Sequence, residues 1–449
     1  MRSIILPVLA LAFFVACDDG QDPSDVNNVN NVNNVNNVNN VNNTSGDPLV
    51  VEVIDEGVRT VNGLEVDYSL LRLTCGDQRA TYAFTAFPSG QTVPAPVVLA
   101  TMPYDVIDWT GEAVDTQAAQ TTAPVTIDDL LNTAFVHRYH GFGFAAAFGR
   151  FYTGDSIQNE VDDMTCTLRY VAGHARVNAS RIGVYGGSWG GFEALYTAAY
   201  APTGVVPAAG VALFPVSDFE AMVEHVVTIP DRVTSPAKVA EYQTFYAPYL
   251  DRIFQTTGGA PGETGSDYSG FTLDDLVLRL NTPFLIWHEM HDTLVPFSHS
   301  EALAQAASDR ITPVWYRYAE PLDLEAEPLG HGYFPDVVWT FLLAYLHTRL
   351  AEPSQSIVLL HFPAAFHDFM VHLRELEATV HDSSFIIPTL MSLADERVTM
   401  FSGGQDPMPT GRALLADELT QVWCLDPPLT AEEVVPLLVS GTLPVSRCP

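Results

Sequence analysis

Lysine is almost missing from this sequence: Lys238 is the only one, and 20 basic residues stand against 54 acidic ones, for a formal net charge of −34. Nucleic acid is thereby excluded as a partner, because phosphate binding draws its affinity from basic groups that displace counterions. An anionic lipid surface is disfavoured for the same reason. The balance predicts a highly soluble, salt-adapted, exported protein that self-repulsion destabilises at low salt. Long apolar runs are scarce too. Residues 4–16 form one behind Arg2, too short to span a bilayer, and no other stretch reaches the length a transmembrane helix needs. Metal-site spacings are missing as well: there is no CxxC and no HExxH, and His361, His367, His372 and His381 include no i, i+4 pair. No metal and no cofactor is expected.

The apolar run 4–16 behind one arginine has the proportions of a signal peptide, here residues 1–16. Phe14-Val15-Ala16-Cys17 resembles a bacterial lipobox, which predicts lipidation of Cys17 and a lipoprotein anchored in the cell envelope, at the periplasmic or the cell surface. Residues 17–47 then read as a disordered linker. Its centre is six consecutive Val-Asn-Asn triplets over 26–43, and one small apolar residue in three cannot offset chain entropy. Such a coil would hold the globular part roughly 30 Å from its anchor.

Cysteine is rare, and setting Cys17 aside leaves Cys75, Cys166, Cys424 and Cys448. An even number in an exported chain predicts disulfides, with three possible pairings. Cys424 and Cys448 share one short C-terminal segment and are the expected pair. Cys75 would then bond Cys166.

From about residue 50 to 87, apolar residues alternate with turns on both sides of Gly76-Asp77, as in an antiparallel hairpin. Short, continuously apolar runs follow at 97–100, 142–148, 182–185, 211–214, 284–287 and 314–316, the pattern of strands buried on both faces. Helical patterns lie between them: Val161, Met164, Leu168 and Val171 form one stripe, and 192–200, 301–307 and 336–350 also read as helices. Strand alternating with helix predicts an α/β fold, a doubly wound and mostly parallel sheet over residues 48–350. Two stretches break the rhythm. Residues 217–280 are too long for a simple crossover and predict a helical insertion, placed as a lid. Residues 351–449 predict a mostly helical C-terminal addition.

The sharpest chemical signal is Gly186-Gly187-Ser188-Trp189-Gly190-Gly191, a G-x-S-x-G between a buried strand and a helix. A sharp turn there exposes the Ser188 hydroxyl, and glycines remove side chains that would clash. A serine nucleophile needs a base, and the base needs an acid that orients it. Asp292 follows the strand 284–287, and His331, flanked by glycines, follows the strand 314–316, so the order Ser, Asp, His fits a hydrolase sheet. Asp218 competes for the acid role but comes one strand too early. His288, His291 and His299 precede the expected place of the base and read as structural.

Residues 181–192 and 283–334, with GGSWGG, HxxxDxxVP and GHGYF, resemble the catalytic domain of the prolyl oligopeptidase family of serine peptidases. Met102-Pro103-Tyr104-Asp105 is more similar to the X-prolyl dipeptidyl peptidase and cocaine esterase group. Both are α/β-hydrolases. The resemblance implies an oxyanion hole made by the Trp189 amide and the Tyr104 hydroxyl. It also implies a serine-type acyl hydrolase of short peptides, with a carboxylesterase as the alternative. The family usually has glycine where Glu289 stands, and the segment before the core is too short for the β-propeller that filters substrates in prolyl oligopeptidases. The insertion and the C-terminal addition are therefore expected to shape the pocket. A hydrolase fold used only as a surface-binding module would normally lack a member of the triad, and here all three positions are filled.

Overall fold

The computed structural model describes residues 49–61, 64–76, 80–102, 127–138, 141–151, 155–233, 235–316, 331, 345–351, 357–361, 398–402, 421–425, 437 and 445–447. The signal segment, Cys17 and the triplet tract lie outside them.

Nine strands make the main sheet: β1 Leu49–Val61, β2 Leu64–Cys75, β3 Thr81–Pro88, β4 Ala95–Met102, β5 Gly143–Phe148, β6 Val177–Gly187, β7 Ala209–Leu213, β8 Phe284–Glu289 and β9 Ile311–Tyr316. Their order is β1-β2-β3-β5-β4-β6-β7-β8-β9. The first three run as antiparallel hairpins and β3 pairs antiparallel with β5; every pairing from β5 to β9 is parallel. Each of the six apolar runs forms a strand. Those in the middle are buried on both faces, and β5, β7 and β8 have no residue outside the core.

Helices cover both faces. α1 (Ile127–Arg138) and the helical residues 345–350 lie on one side, with Leu130, Phe144, Tyr185, Leu346 and Leu350 in a single apolar cluster. On the other side are α2 (Ile157–Gly173) and α3 (Trp189–Ala199). Ser156 caps α2, its hydroxyl accepting the Asn159 N–H at 3.2 Å. The predicted stripe of Val161, Met164, Leu168 and Val171 is buried. Cys166 is joined to Cys75 at the end of β2, which ties α2 to the sheet across 91 residues of sequence. Closing a loop of that size in the unfolded chain stabilises the fold by about 4 kcal/mol in the chain-entropy account.

The insertion is helical: α4 Phe219–Val227, α5 Ile229–Arg232, α6 Pro236–Phe245, α7 Ala247–Thr257 and α8 Leu273–Arg279. It packs into the same core as α3, with Phe219, Val223, Tyr268 and Phe271 buried beside Phe192 and Tyr196. α9 (Ser298–Ala306) then leads to β9.

Most of the C-terminal addition 351–449, expected to be mostly helical, lies outside the described residues. Its described residues form a four-stranded sheet, β10 Ile357–His361, β11 Val398–Ser402, β12 Gln421–Leu425 and β13 Val445–Arg447, parallel except for the β12–β13 pair. Its strands are short apolar runs such as Ile357-Val358-Leu359-Leu360, whose length suits a strand rather than a helix. Residues 413–419 and 431–438, whose sequences also read as helical, lie outside the described residues, except for residue 437. Cys424 sits in β12 opposite Ser446, and its expected partner Cys448 is also outside them.

Candidate active site

Ser188 stands between the end of β6 and the start of α3 with φ 56° and ψ −120°, a left-handed conformation that a side chain rarely adopts. Such a backbone costs on the order of 1–3 kcal/mol and persists only where its surroundings fix it. Here they do. The Ser188 N–H donates to Leu213 O at 2.9 Å, and Phe192 N–H donates to Ser188 O at 3.1 Å. Thr101 on β4 brings its hydroxyl 2.7 Å from Gly190 O, pinning the first turn of α3. A Cβ on Gly186 would fall 2.1 Å from that same oxygen, so the turn admits only glycine there.

His331 Nε2 lies 2.7 Å from Ser188 Oγ, and its Nδ1 lies 2.6 Å from Asp292 Oδ2. A carboxylate accepts, so the proton of the neutral ring belongs on Nδ1 and Nε2 is left to accept from the serine hydroxyl. The other oxygen of Asp292 accepts the N–H groups of Leu294 and Val295 at 3.0 and 2.9 Å, which fixes the carboxylate plane. Phe214 packs edge-on against the His331 ring at 4.7 Å. Three segments far apart in sequence thus form one hydrogen-bonded line, and the arrangement can draw a proton from Ser188 towards His331.

The competing residues have other work. Asp218 caps α4, accepting from Ala221 N–H at 2.9 Å, and also accepts from Leu273 N–H at 3.0 Å. His288 donates from Nε2 to Val295 O at 3.0 Å and accepts at Nδ1 from the Ser300 hydroxyl at 2.7 Å. Burial pushes its pKa down to about 4, so it is neutral at pH 7 although Asp292 Oδ2 is 3.7 Å away. His299 is likewise held down at about 4 by burial. Glu289 accepts the His291 N–H at 2.7 Å and lies 3.1 Å from its ring. Its carboxylate builds the turn that leads to Asp292.

Trp189 opens α3, so its amide belongs to the helix N-terminus next to Ser188. Tyr104 lies outside the described residues. Ser188 faces a cavity of about 600 Å³, measured out to its open mouth. Apart from Ser188 its walls are apolar or aromatic: Phe151 and Trp189 on one side, Phe219, Val223 and Val226 of α4, and Tyr249 and Ile253 of α7. The insertion therefore walls the cavity. Sequence patterns did not single out Phe151, Thr101 or Phe214, and for the wall residues of α4 and α7 the only signal was the insertion's excess length. Among the described residues no group of His, Cys, Asp and Glu side chains converges as a metal site requires.

Residues 133–320 match the prolyl oligopeptidase family. The matched segment contains Ser188, Asp292 and most of the sheet that positions them, and it ends shortly before His331. Over that segment, less than half of the chain, the sequence is similar to the prolyl oligopeptidase family. Among solved structures it is similar to acetyl xylan esterase from Paenibacillus sp. R4, with 16% identity, 63% of this chain and 87% of that chain covered, and a TM-score of 0.42. It is also similar to a puromycin-hydrolyzing peptidase of Mycobacterium tuberculosis, with 15% identity, 64% of this chain and 46% of that chain covered, and a TM-score of 0.41. For puromycin hydrolase the figures are 16%, 68%, 44% and 0.40. The chain spans less than half the length of these last two chains. No curated protein gives a significant match.

Proposed function

We propose that the protein cleaves peptide bonds of short peptides through an acyl-enzyme. The observation that carries this reading is the Ser188–His331–Asp292 line opening on an apolar cavity. Ser188 Oγ attacks the carbonyl carbon as His331 Nε2 takes its proton, and the imidazolium that forms is stabilised by Asp292. The same proton then passes to the leaving amine. Water repeats the sequence to release the acid. The negative oxygen of the tetrahedral intermediate is held by the Trp189 amide and the Tyr104 hydroxyl.

A carboxylesterase is the second reading. Among the described residues the cavity walls carry no charged side chain that would bind a peptide terminus, and they suit an acyl chain as well as an apolar side chain. The test is a paired assay of protein lacking residues 1–46, with proline-containing dipeptidyl and aminoacyl anilides beside short-chain p-nitrophenyl esters. Anilide turnover is the expected result. Efficient ester turnover with no anilide cleavage would reject the peptidase, because an amide requires protonation of its leaving group and an activated ester does not.

The protein acts at the bacterial cell envelope, held there by lipid on Cys17 beyond the triplet linker. Among the described residues no helix is long and apolar enough to cross a membrane. Full-length protein grown with an alkyne fatty acid should carry the label and sediment with membranes. If Cys17→Ser kept both properties, the anchor would lie elsewhere.

A further inference from the structure

Two carboxyl groups are buried directly behind the nucleophile turn, and the reaction as written uses neither. Glu160, in the first turn of α2, and Glu193, on α3, are both fully buried. Glu160 Oε1 accepts the indole N–H of Trp189 at 3.1 Å, and Oε2 accepts the backbone N–H of Phe151 at 2.5 Å. Those two residues are stacked, their ring centroids 5.1 Å apart, and together they form the cavity wall beside Ser188. The seat is built for a carboxylate. A Cβ on Gly149 would fall 2.3 Å from the Glu160 carboxyl carbon, so glycine at that position makes the room.

Glu193 on α3 lies close enough to Glu160 for the two buried carboxyl groups to interact. Among the described residues no N–H or O–H group reaches either Glu193 oxygen within hydrogen-bond distance. Two carboxylates cannot touch in an apolar interior while both are ionised. Glu160 already accepts two N–H groups, which only an acceptor oxygen tolerates, so the shared proton belongs on Glu193 and points at Glu160. Burial raises the proton affinity of both, and for Glu193 the neighbouring Glu160 charge raises it further. Arg150, a cation that interacts with Glu160, is shared with other carboxylates. Arg150 is engaged by Asp163 at 2.6 and 2.7 Å and by Asp155 at 3.4 Å.

We propose that Glu160 is a positioning residue of this site: its carboxylate clamps the Trp189 indole and the Phe151 backbone, and Glu193 is the protonated partner that donates to it. The inference rests on the reading of Ser188 as the nucleophile facing this cavity. Trp189 is the point of leverage, because its ring forms the substrate wall while its amide is the proposed oxyanion donor. Fixing the ring through Nε1 fixes both. A leucine or methionine in place of Glu160 would fill the space but leave the indole N–H and the Phe151 N–H buried without acceptors.

Glu160→Gln isolates the effect. The amide keeps the shape but turns one acceptor into an NH₂ that must face a donor, Trp189 Nε1–H or Phe151 N–H. KM for the best substrate of the paired assay should rise about tenfold, with kcat changing less. The Trp189 emission, isolated by subtracting the spectrum of Trp189→Phe, should shift. Glu193→Gln should stay nearer to wild type than Glu193→Leu, since its NH₂ donates where the carboxylic acid did. An unchanged KM and unchanged Trp189 emission in Glu160→Gln would reduce Glu160 to a packing role, whatever the fall in Tm. Equal impairment in Glu193→Gln and Glu193→Leu would remove Glu193 as the donor. Should Glu160→Gln fail to fold, Trp189→Phe, which deletes only one end of the clamp, must itself raise KM or the proposal fails. Reaction of wild-type Ser188 with a fluorophosphonate keeps the two readings apart. If wild type does not react, the proposed function has failed, and the emission shift alone then decides the clamp.

Discussion

Ser188→Ala will not react with a fluorophosphonate probe that labels the wild-type protein, and its kcat will fall by about four orders of magnitude or more. The labelling result depends on one oxygen. The Ser188 hydroxyl is the only group at the turn that both lies 2.7 Å from an imidazole nitrogen and faces the cavity. Alanine keeps the backbone bonds to Leu213 and Phe192, which use main-chain atoms, so the variant should fold with its pocket intact. His331→Ala should lose as much rate, because a serine hydroxyl attacks slowly unless its proton is removed as the bond forms. The double variant should be no worse than either single one: the two side chains act as a unit, and removing either already forfeits the shared step. Residual turnover well above the uncatalysed rate is expected in all three, from the oxyanion donors and substrate placement. Probe labelling at another serine, or additive losses in the double variant, would place the chemistry elsewhere.

The site was more legible in the sequence than its surroundings were, for a physical reason. A nucleophile turn needs glycine at fixed offsets from Ser188 because the backbones of β6 and α3 nearly touch, and that requirement is written in adjacent residues. Asp292 and His331 follow strands whose unbroken apolar runs are equally local. Glu160 is different. Its four-residue spacing from Met164 puts it at the edge of the α2 stripe, where nothing local marks a carboxyl group as buried. Its burial depends on Gly149, Phe151 and Trp189, all on other elements. The same holds for Phe219, Val223 and Ile253, which read only as apolar faces of helices until the insertion packs against α3. Strand order was not written locally either: β5 sits between β3 and β4, although β4 precedes it in the chain. The C-terminal strands were hidden because each short apolar run is followed by a long stretch without clear periodicity.

The second large effect should come from Asp292→Asn, with kcat down by about 10⁴ and little change in the folded structure. Asp292 Oδ1 accepts two backbone N–H groups, from Leu294 and Val295, so an asparagine must keep its carbonyl oxygen there. Its NH₂ then takes the place of Oδ2, 2.6 Å from His331 Nδ1. An NH₂ can only donate, so the ring must present Nδ1 as an acceptor and carry its proton on Nε2. That nitrogen faces Ser188 Oγ and can no longer accept the hydroxyl proton. The acid loop should survive the change, because His288 is neutral and braces it through Val295 O rather than through an ion pair with Asp292. Asp218→Asn is the matched control: Asp218 stands outside the hydrogen-bonded line and accepts Ala221 N–H on one oxygen and Leu273 N–H on the other, so asparagine keeps the cap but loses the second bond, which should lower Tm while kcat stays within a few-fold of wild type. Steady-state kinetics of the two variants, with thermal melts to show both are folded, decide the assignment. If Asp218→Asn abolished activity while Asp292→Asn kept it, the acid would be the wrong one, and the line from Asp292 through His331 to Ser188 would be a structural network rather than the catalytic one.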